Sequence, residues 1–286
     1  MFENIRNNFP FFKNNPKLVF LDTAASAQKP QSVIESVTNC YSYEYANINR
    51  GVYKLSSELT AKFENVRLKT SQYINAENEN NIVFTKSATE AINLVASCFS
   101  EKYLDSGDEV LLSYLEHHAN IVPWQLAAKK KGFKIITINI NNEGQLDYDD
   151  LIKKVNKKTK LISITHMSNV LGTIVDMQII RDQAKRYNIP FLIDGCQYIA
   201  HAPVDVKSLG CDFYVFSGHK LYGPSGVGVL YMKNQWLNNF DPYQGGGDMI
   251  ENVDFKETTF ASGHQKFEAG TPPITCLLYT SDAADE

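Results

Sequence analysis

Short apolar segments alternate with helical segments along most of this chain, and no other feature constrains its fold as strongly. Residues 18–22, 81–85, 109–113, 134–138, 161–166, 190–195, 212–217 and 228–232 are predicted strands. Helical spacing covers residues 31–45, 56–74, 88–99, 122–131, 149–155 and 177–187. Repeated strand–helix succession is typical of βαβ units, and consecutive apolar positions in several strands indicate helices on both faces. The sequence therefore predicts an α/β fold around a mostly parallel sheet.

Length, charge and cysteine content narrow the possible functions. A chain of 286 residues suits one large domain. A formal net charge of −4 disfavours nucleic acid or an anionic membrane as the main partner. Residues 1–17 lack the apolar core of a secretory signal, and no apolar run approaches the roughly 18 residues that span a bilayer. Five scattered cysteines form no disulfide framework. We therefore expect a cytoplasmic protein, and an enzyme.

Polar and ionisable residues follow the predicted strands at their carboxyl ends. These stretches are residues 85–90, 115–118, 166–169, 194–197 and 217–220. The opposite strand ends carry no comparable set. Ligands of open α/β sheets bind beyond the carboxyl ends of the strands, where loops and helix starts meet. The sequence therefore predicts a ligand site at this edge of the sheet.

Asp194 and Lys220 are the two residues on which a chemical interpretation depends. Taken alone, Asp194 is equally well explained as a structural hydrogen-bonding group, and Lys220 as a solvent-facing side chain. Together, an acid and a lysine at the ends of two strands match the needs of pyridoxal 5′-phosphate (PLP). The lysine forms a Schiff base with this cofactor, and the carboxylate keeps the pyridine nitrogen protonated. The pair predicts a PLP site.

Other residues at this edge suit the remaining parts of the cofactor. Thr89 lies at the start of a predicted helix, where free N–H groups bind phosphate, although plain N-capping explains this stretch equally well. Ser217 and His219 flank the lysine and add phosphate donors. His117 can stack on the ring and carry protons, whereas a surface histidine or a metal ligand is the alternative. No carboxylate or cysteine lies at ligand spacing, so no metal site is predicted. Asn169 and Gln197 are placed to reach the ring hydroxyl.

Several motifs in order resemble the class V aminotransferase family, and within it the group II, or SUF-type, cysteine desulfurases. They read AASAQKP, NINRGVYKLSSELTAKFENVR, SATEAIN, EHHANIVPWQ, HMSNVLGT, IDGCQ, SGHKLYGPSGVGVLY, GGGDMI and FEAGTP. The resemblance implies the large domain of a fold type I PLP-dependent transferase. That domain would cover residues 21–275, after an N-terminal segment at 1–20.

The resemblance also implies a role for each matching residue. Lys220 resembles the Schiff-base lysine and proton carrier, Asp194 the partner of the pyridine nitrogen, and His117 the stacking residue. The implied phosphate ligands are Thr89, Ser217 and His219, and the implied contacts to the ring oxygen are Asn169 and Gln197, with Asn169 also near the substrate. Arg50 lies in the motif at the substrate entrance. Thr271 resembles a residue that reaches the phosphate of a neighbouring subunit, which implies a homodimer.

The implied reaction converts L-cysteine to L-alanine and leaves persulfide sulfur on the enzyme, for a SUF-type acceptor protein and iron–sulfur cluster assembly. Family members continue past the AGTP motif into a small domain that carries the sulfur-accepting cysteine and an arginine for the substrate carboxylate. Residues 276–286 fit no family segment and are interpreted as foreign sequence. No cysteine here takes the place of the sulfur acceptor, and Cys40, Cys98 and Cys196 are interpreted as packing residues. Asn49 and Ala88 also depart from the usual pattern.

Two alternatives to a cysteine desulfurase are open at this point. A selenocysteine lyase, a cysteine sulfinate desulfinase or another class V lyase would share the same cofactor motifs. A non-catalytic fragment with a PLP fold would keep the binding residues without turnover. The substrate and the capacity to bind PLP discriminate among them.

Overall fold

A computed structural model describes residues 5–278, and the predicted sheet lies at its centre. Its strands are β1 (Ile82–Thr85), β2 (Glu109–Ser113), β3 (Lys134–Ile138), β4 (Thr159–Thr165), β5 (Phe191–Asp194), β6 (Phe213–Ser217) and β7 (Gly228–Met232), in the order β1-β7-β6-β5-β4-β2-β3. Strands β2 to β6 pair in parallel, and β7 is antiparallel to both of its neighbours. A separate hairpin consists of β8 (Ile250–Val253) and β9 (Thr258–Phe260). The mostly parallel α/β prediction is confirmed.

Helices connect the strands and cover the sheet. Within the described residues they are α1 (Pro10–Asn14), α2 (Gln31–Asn39), α3 (Lys54–Tyr73), α4 (Ala88–Tyr103), α5 (Val122–Lys131), α6 (Tyr148–Lys154), α7 (Met177–Tyr187), α8 (Val206–Leu209), α9 (Asn234–Asn239) and α10 (Ile274–Leu278). None of the helices in this part of the chain is long and apolar enough to cross a membrane. Most of the tail interpreted as foreign, residues 279–286, lies outside the described residues, and residues 276–278 end α10.

Two apolar clusters lie on opposite faces of the sheet. Along β6, Phe213 and Val215 join one cluster, whereas Tyr214 and Phe216 join the other. Successive side chains of a strand point to opposite faces, so this division shows that both faces of β6 are buried. Helical cover on both faces is therefore the reason for the unbroken apolar run in this strand.

The prediction of a strand at residues 18–22 is wrong. This segment pairs with no strand of the described chain, and Val19 and Leu21 are 76% and 89% exposed. An apolar run becomes a strand only where a neighbouring strand pairs with it, and this segment has no such neighbour among residues 5–278. Its Phe20 ring instead packs against Phe11 and Phe12 of α1. The β8–β9 hairpin was not predicted because its residues are mainly exposed and form no continuous apolar run. Helix α2 is also shorter than predicted, since a π-helical turn at Cys40–Glu44 follows it.

A buried ion pair fixes the segment that leads to Thr271. The Arg67 guanidinium is 1% exposed and binds the Glu268 carboxylate through two nitrogens, at 2.7 and 2.9 Å. Glu268 also accepts the backbone N–H of Phe84 on β1 at 2.6 Å. Glu268 is thus bound by Arg67 of α3 and by Phe84 of β1. These contacts fix the position from which the chain continues to Thr271.

His264, in the turn Gly263–Phe267 beside this pair, is expected to make stability depend on pH. Its ring is buried, and its Nδ1 has no hydrogen-bond partner among residues 5–278. Burial, helped by nearby Arg67, lowers the pKa of His264 from 6.5 to about 4. Between pH 6.5 and about pH 4, His264 therefore binds a proton in the unfolded chain but not in the folded chain. The free energy of unfolding falls as the pH drops through this range.

Replacing His264 with phenylalanine is expected to remove this contribution. The free energy of unfolding of the parent should fall by about 2 kcal/mol more than that of His264→Phe between pH 7 and pH 5. Urea unfolding at the two pH values measures this difference. An equal decrease in the free energy of unfolding of the two proteins would contradict the interpretation of His264 as a buried neutral histidine.

Candidate active site

A cavity of about 450 Å³ opens at the carboxyl ends of the parallel strands. It is lined by eight of the predicted site residues, namely Thr89, His117, Asn169, Asp194, Gln197, Ser217, His219 and Lys220. The strand ends that the sequence singled out therefore converge on one space. Their individual roles toward a ligand stay predictions.

Asp194 and Lys220 face this cavity from neighbouring strands. Asp194 is the last residue of β5 and is 5% exposed, and its Oδ1 accepts the backbone N–H of Cys196 at 3.0 Å. Lys220 ends the turn Gly218–Lys220 that follows β6. Since β5 and β6 pair in parallel, both strands end at the same edge and bring the acid and the amine to one space.

The start of helix α4 forms another wall. Ser87 caps the helix, because its Oγ accepts the backbone N–H of Glu90 at 3.2 Å, so the N-capping interpretation holds for this residue. The N–H of Ala88 donates to the Ser217 hydroxyl at 2.9 Å, which joins the helix start to the end of β6. Thr89 in the first turn lines the cavity. A helix start with nearby hydroxyl groups is a site for an anion.

Gly228 allows the helix start to approach the sheet this closely. A Cβ atom at this position of β7 would lie 2.2 Å from the carbonyl carbon of Ser87 and 2.5 Å from its Cα. Backbone atoms cannot move away as the end of a flexible side chain can. Only glycine at position 228 therefore lets the start of α4 lie against β7 and reach the cavity.

His117 presents a neutral ring to the cavity. Its Nδ1 accepts the backbone N–H of Ala119 at 3.1 Å, so the proton of the neutral ring lies on Nε2. Burial lowers the pKa of His117, and the nearby Lys220 and His118 lower it further. A neutral imidazole with Nε2–H is suited to stacking and to donating a hydrogen bond.

An early loop closes one side of the cavity and was not predicted. Asp22, Ala24 and Ala25 line it. The Gln197 amide donates to the carbonyl of Ala24 at 2.8 Å, and the backbone N–H of Ala27 donates to the carbonyl of His219 at 3.0 Å. The motif AASAQKP was part of the family resemblance, yet no spacing in the sequence indicated that it reaches the strand ends.

The residues present fit PLP. The cofactor needs an acid for its ring nitrogen, an amine for its aldehyde and a helix start for its phosphate, and one cavity contains Asp194, Lys220 and the start of α4. No cluster of three or more metal-binding side chains occurs between residues 5 and 278. The donor set of the cavity therefore matches an organic phosphate better than a metal ion.

Arg50 and Thr271 do not line this cavity. Arg50 pairs through Nε with Asp248 at 2.8 Å and faces a separate cavity of about 180 Å³ that Glu268 also lines. Thr271 faces a third, smaller cavity next to Lys86. Within one chain these two residues are therefore separate from Lys220.

Sequence reasoning also missed Glu116, which precedes His117. Its Oε1 accepts from the Ser113 hydroxyl at 2.5 Å and the Thr165 backbone N–H at 3.0 Å, and its Oε2 accepts from the Asn120 amide at 2.7 Å. Desolvation raises the pKa of Glu116 to about 7 in spite of these three donors. The only sequence signal was its position in the motif EHHAN, because its partner on β4, Thr165, is 49 residues away in sequence.

The cysteines are placed as packing residues. Cys40, Cys98, Cys196 and Cys211 are buried and carry free thiols. Burial raises the pKa of Cys98 to about 12 and holds the pKa of Cys196 well above its ordinary value. Reactive cysteines have lowered thiol pKa values, so the Cys98 and Cys196 thiols are poor nucleophiles.

Comparison with known proteins agrees with this geometry. The family model for the class V aminotransferases matches residues 19–285. The chain belongs to the class V aminotransferase family. Cysteine desulfurases of this family depend on PLP, which agrees with the residues that line the cavity.

Several relatives of this chain are cysteine desulfurases. Those of Yersinia pseudotuberculosis (serotype O:1b, strain IP 31758) and Serratia proteamaculans (strain 568) are each 44% identical over 287 residues, covering 99% of this chain and 71% of the relative. The crystal structure of the cysteine desulfurase CsdA from Escherichia coli is 38% identical with a TM-score of 0.91, and the match covers 99% of this chain and 70% of CsdA. The apo cysteine desulfurase of Thermococcus onnurineus NA1 is 35% identical with a TM-score of 0.93, at the same coverage.

Proposed function

We propose that this chain carries the PLP-binding site of a cysteine desulfurase. The observation that carries the proposal is the convergence of Lys220, Asp194 and the start of helix α4 on one cavity. The naming of its relatives as cysteine desulfurases supports the choice of substrate. L-Cysteine and a thiol yield L-alanine and a persulfide. The Cβ–Sγ bond of cysteine breaks, its sulfur passes to the thiolate, and the β-carbon gains a proton.

Each of the main residues of the cavity has its own role in this reaction. When bound, PLP supplies an electron-accepting ring that stabilises negative charge at the α-carbon of the substrate. The Lys220 amine anchors the cofactor and carries the α-proton. The Asp194 carboxylate, which accepts the N–H of Cys196, would keep the ring nitrogen of the cofactor protonated. His117, neutral and protonated on Nε2, would stack on the ring of the cofactor and offer its N–H as a hydrogen-bond donor.

The protein acts as a homodimer in this proposal. Arg50 and Thr271 lie outside the cavity that holds Lys220, in two cavities that share Glu268 as a lining residue. The segment around Arg50 exposes large apolar side chains, with Tyr41 63%, Val52 105% and Tyr53 52% exposed. Such a surface suits a second copy of the chain, whose cavity would then receive Arg50 and Thr271. The persulfide sulfur would pass to a SUF-type acceptor for iron–sulfur clusters in the cytoplasm.

The experiment that tests this function combines cofactor binding with product analysis. The chain is dialysed against PLP, and alanine is then measured after addition of L-cysteine with dithiothreitol as the thiol acceptor. We expect stoichiometric PLP with visible absorbance, and alanine formed from L-cysteine.

Each other outcome identifies an alternative. Faster alanine release from selenocysteine or cysteine sulfinate would assign a different lyase of the same family. PLP binding without alanine from any of the three substrates would leave a cofactor-binding module, and failure to bind PLP would contradict the proposal.

A further inference from the structure

Glu116 lies at the centre of a hydrogen-bond network behind the cavity. The network links the loop after β2 to β4 at two points, on either side of His117. Before His117, the Glu116 Oε1 accepts the backbone N–H of Thr165 at 3.0 Å. After His117, the Asn120 Oδ1 accepts from the Ser163 hydroxyl at 2.6 Å. The loop is therefore attached to β4 at both of its ends.

The Glu116 carboxylate also connects these two attachments to each other. Its Oε2 accepts from the Asn120 amide at 2.7 Å, and the backbone N–H of Asn120 donates to the carbonyl of His117 at 2.8 Å. The main chain of His117 is thereby enclosed in a closed set of hydrogen bonds. Removal of the Glu116 carboxylate would leave three donors without their acceptor, namely the Ser113 hydroxyl, the Asn120 amide and the Thr165 N–H.

The same carboxylate is connected to Asp194 through the sheet. Thr165, whose N–H binds Glu116, lies opposite Asp194 in the parallel pairing of β4 with β5, and it lines the cavity. The next residue, His166, donates its backbone N–H to the carbonyl of Asp194 at 2.8 Å. The Glu116 side chain therefore binds both the loop that carries His117 and strand β4, which pairs with β5 at Asp194.

We propose that Glu116 is a positioning residue of the PLP site, whose carboxylate fixes the His117 ring relative to Asp194. The inference deepens the proposed function and rests on it. Glu116 does not line the cavity and so acts through the residues that do.

The network requires an acceptor at position 116. The indole N–H of Trp124 donates to the Asn120 Oδ1 at 3.2 Å, and an indole N–H can only donate. This contact fixes the amide of Asn120 with its Nδ2 group toward Glu116. The backbone N–H of Thr165 is also only a donor. A glutamine side chain at this position would still accept from Ser113 and Thr165, but its own NH₂ group would face the NH₂ group of Asn120.

A paired exchange of acid and amide tests this requirement. In Glu116→Gln the two NH₂ groups oppose each other. In Glu116→Gln combined with Asn120→Asp, the carboxylate introduced at position 120 accepts from the amide introduced at position 116, from Trp124 and from Ser163. Every hydrogen bond is then restored, and the net charge is unchanged. The matched control is Glu101→Gln, which removes one charge from an exposed position of α4 (79% exposed side chain).

The measurements are the affinity for PLP, the visible circular dichroism of bound PLP and the thermal midpoint. We expect Glu116→Gln to weaken PLP binding about tenfold, as loss of one buried hydrogen bond implies, and to change the visible dichroism, which reports ring orientation. The double variant should return to within about twofold of the parent in affinity, with the parent's dichroism. Glu101→Gln should match the parent in both.

Two results would overturn the inference. One is Glu116→Gln with the affinity and dichroism of the parent. The other is a double variant that regains the thermal midpoint of the parent but not its dichroism, since the restored hydrogen bonds would then not be what orients the ring. If the single variant does not fold, the double variant still decides between these cases. Failure of the parent to bind PLP would instead contradict the proposed function.

Discussion

Lys220→Ala is expected to abolish the visible absorbance that the parent keeps through gel filtration, and to reduce alanine formation from L-cysteine at least about a thousandfold. The lysine has two tasks in the proposed site, since it anchors the cofactor and carries the α-proton, and alanine performs neither. PLP should still enter the cavity, because Asp194 and the start of α4 are unchanged, but it should be removed by gel filtration. Absorbance spectra before and after filtration, followed by alanine measurement, check both parts.

Lys207→Ala is the control for this experiment. Lys207 is exposed and donates to the Asn75 side chain at 3.0 Å, far from the strand ends. The absorbance spectrum and the turnover of the Lys207→Ala protein should equal those of the parent. A Lys220→Ala protein that keeps the visible band through gel filtration would contradict the assignment of the lysine.

The sequence predicts the acid and the amine because parallel strands all end at one edge. Asp194 and Lys220 are 26 residues apart in sequence, counted from their numbers. Their strands are nevertheless neighbours in the sheet, so the alternation of strands and helices is sufficient to bring them together. The eight cavity residues that were predicted all follow this rule or lie at the helix start after β1.

Residues that reach the site from elsewhere were not predictable in this way. The loop with Ala24 arrives from outside the sheet, and its contact with Gln197 spans 173 residues. Glu116 has a recognisable position next to His117, but its role depends on Thr165 and Ser163 across β4. Local patterns contain no information on such partners. The strand prediction at residues 18–22 was wrong for the same reason, because an apolar pattern does not show whether a neighbouring strand is available for pairing.

Asp194→Asn is expected to lower alanine formation by about a hundredfold to ten-thousandfold while PLP stays bound. Asparagine keeps the Oδ1 that accepts the N–H of Cys196, so the end of β5 should keep its conformation. It cannot hold a proton on the ring nitrogen, because its amide carries no negative charge. The affinity for PLP should change less than the turnover, since Lys220 and the phosphate donors are intact. Absorbance titration and steady-state alanine release measure the two quantities separately.

Asp182→Asn provides the matched control, because this aspartate lies on α7 with a 59% exposed side chain. It should leave PLP binding and turnover unchanged. Parent-like turnover in Asp194→Asn would mean that the carboxylate serves the sheet alone, through Cys196. The convergence of acid and amine would then be a property of the fold and not of the reaction. A loss of turnover with bound PLP separates the two, because asparagine keeps the acceptor for the N–H of Cys196 but lacks the negative charge.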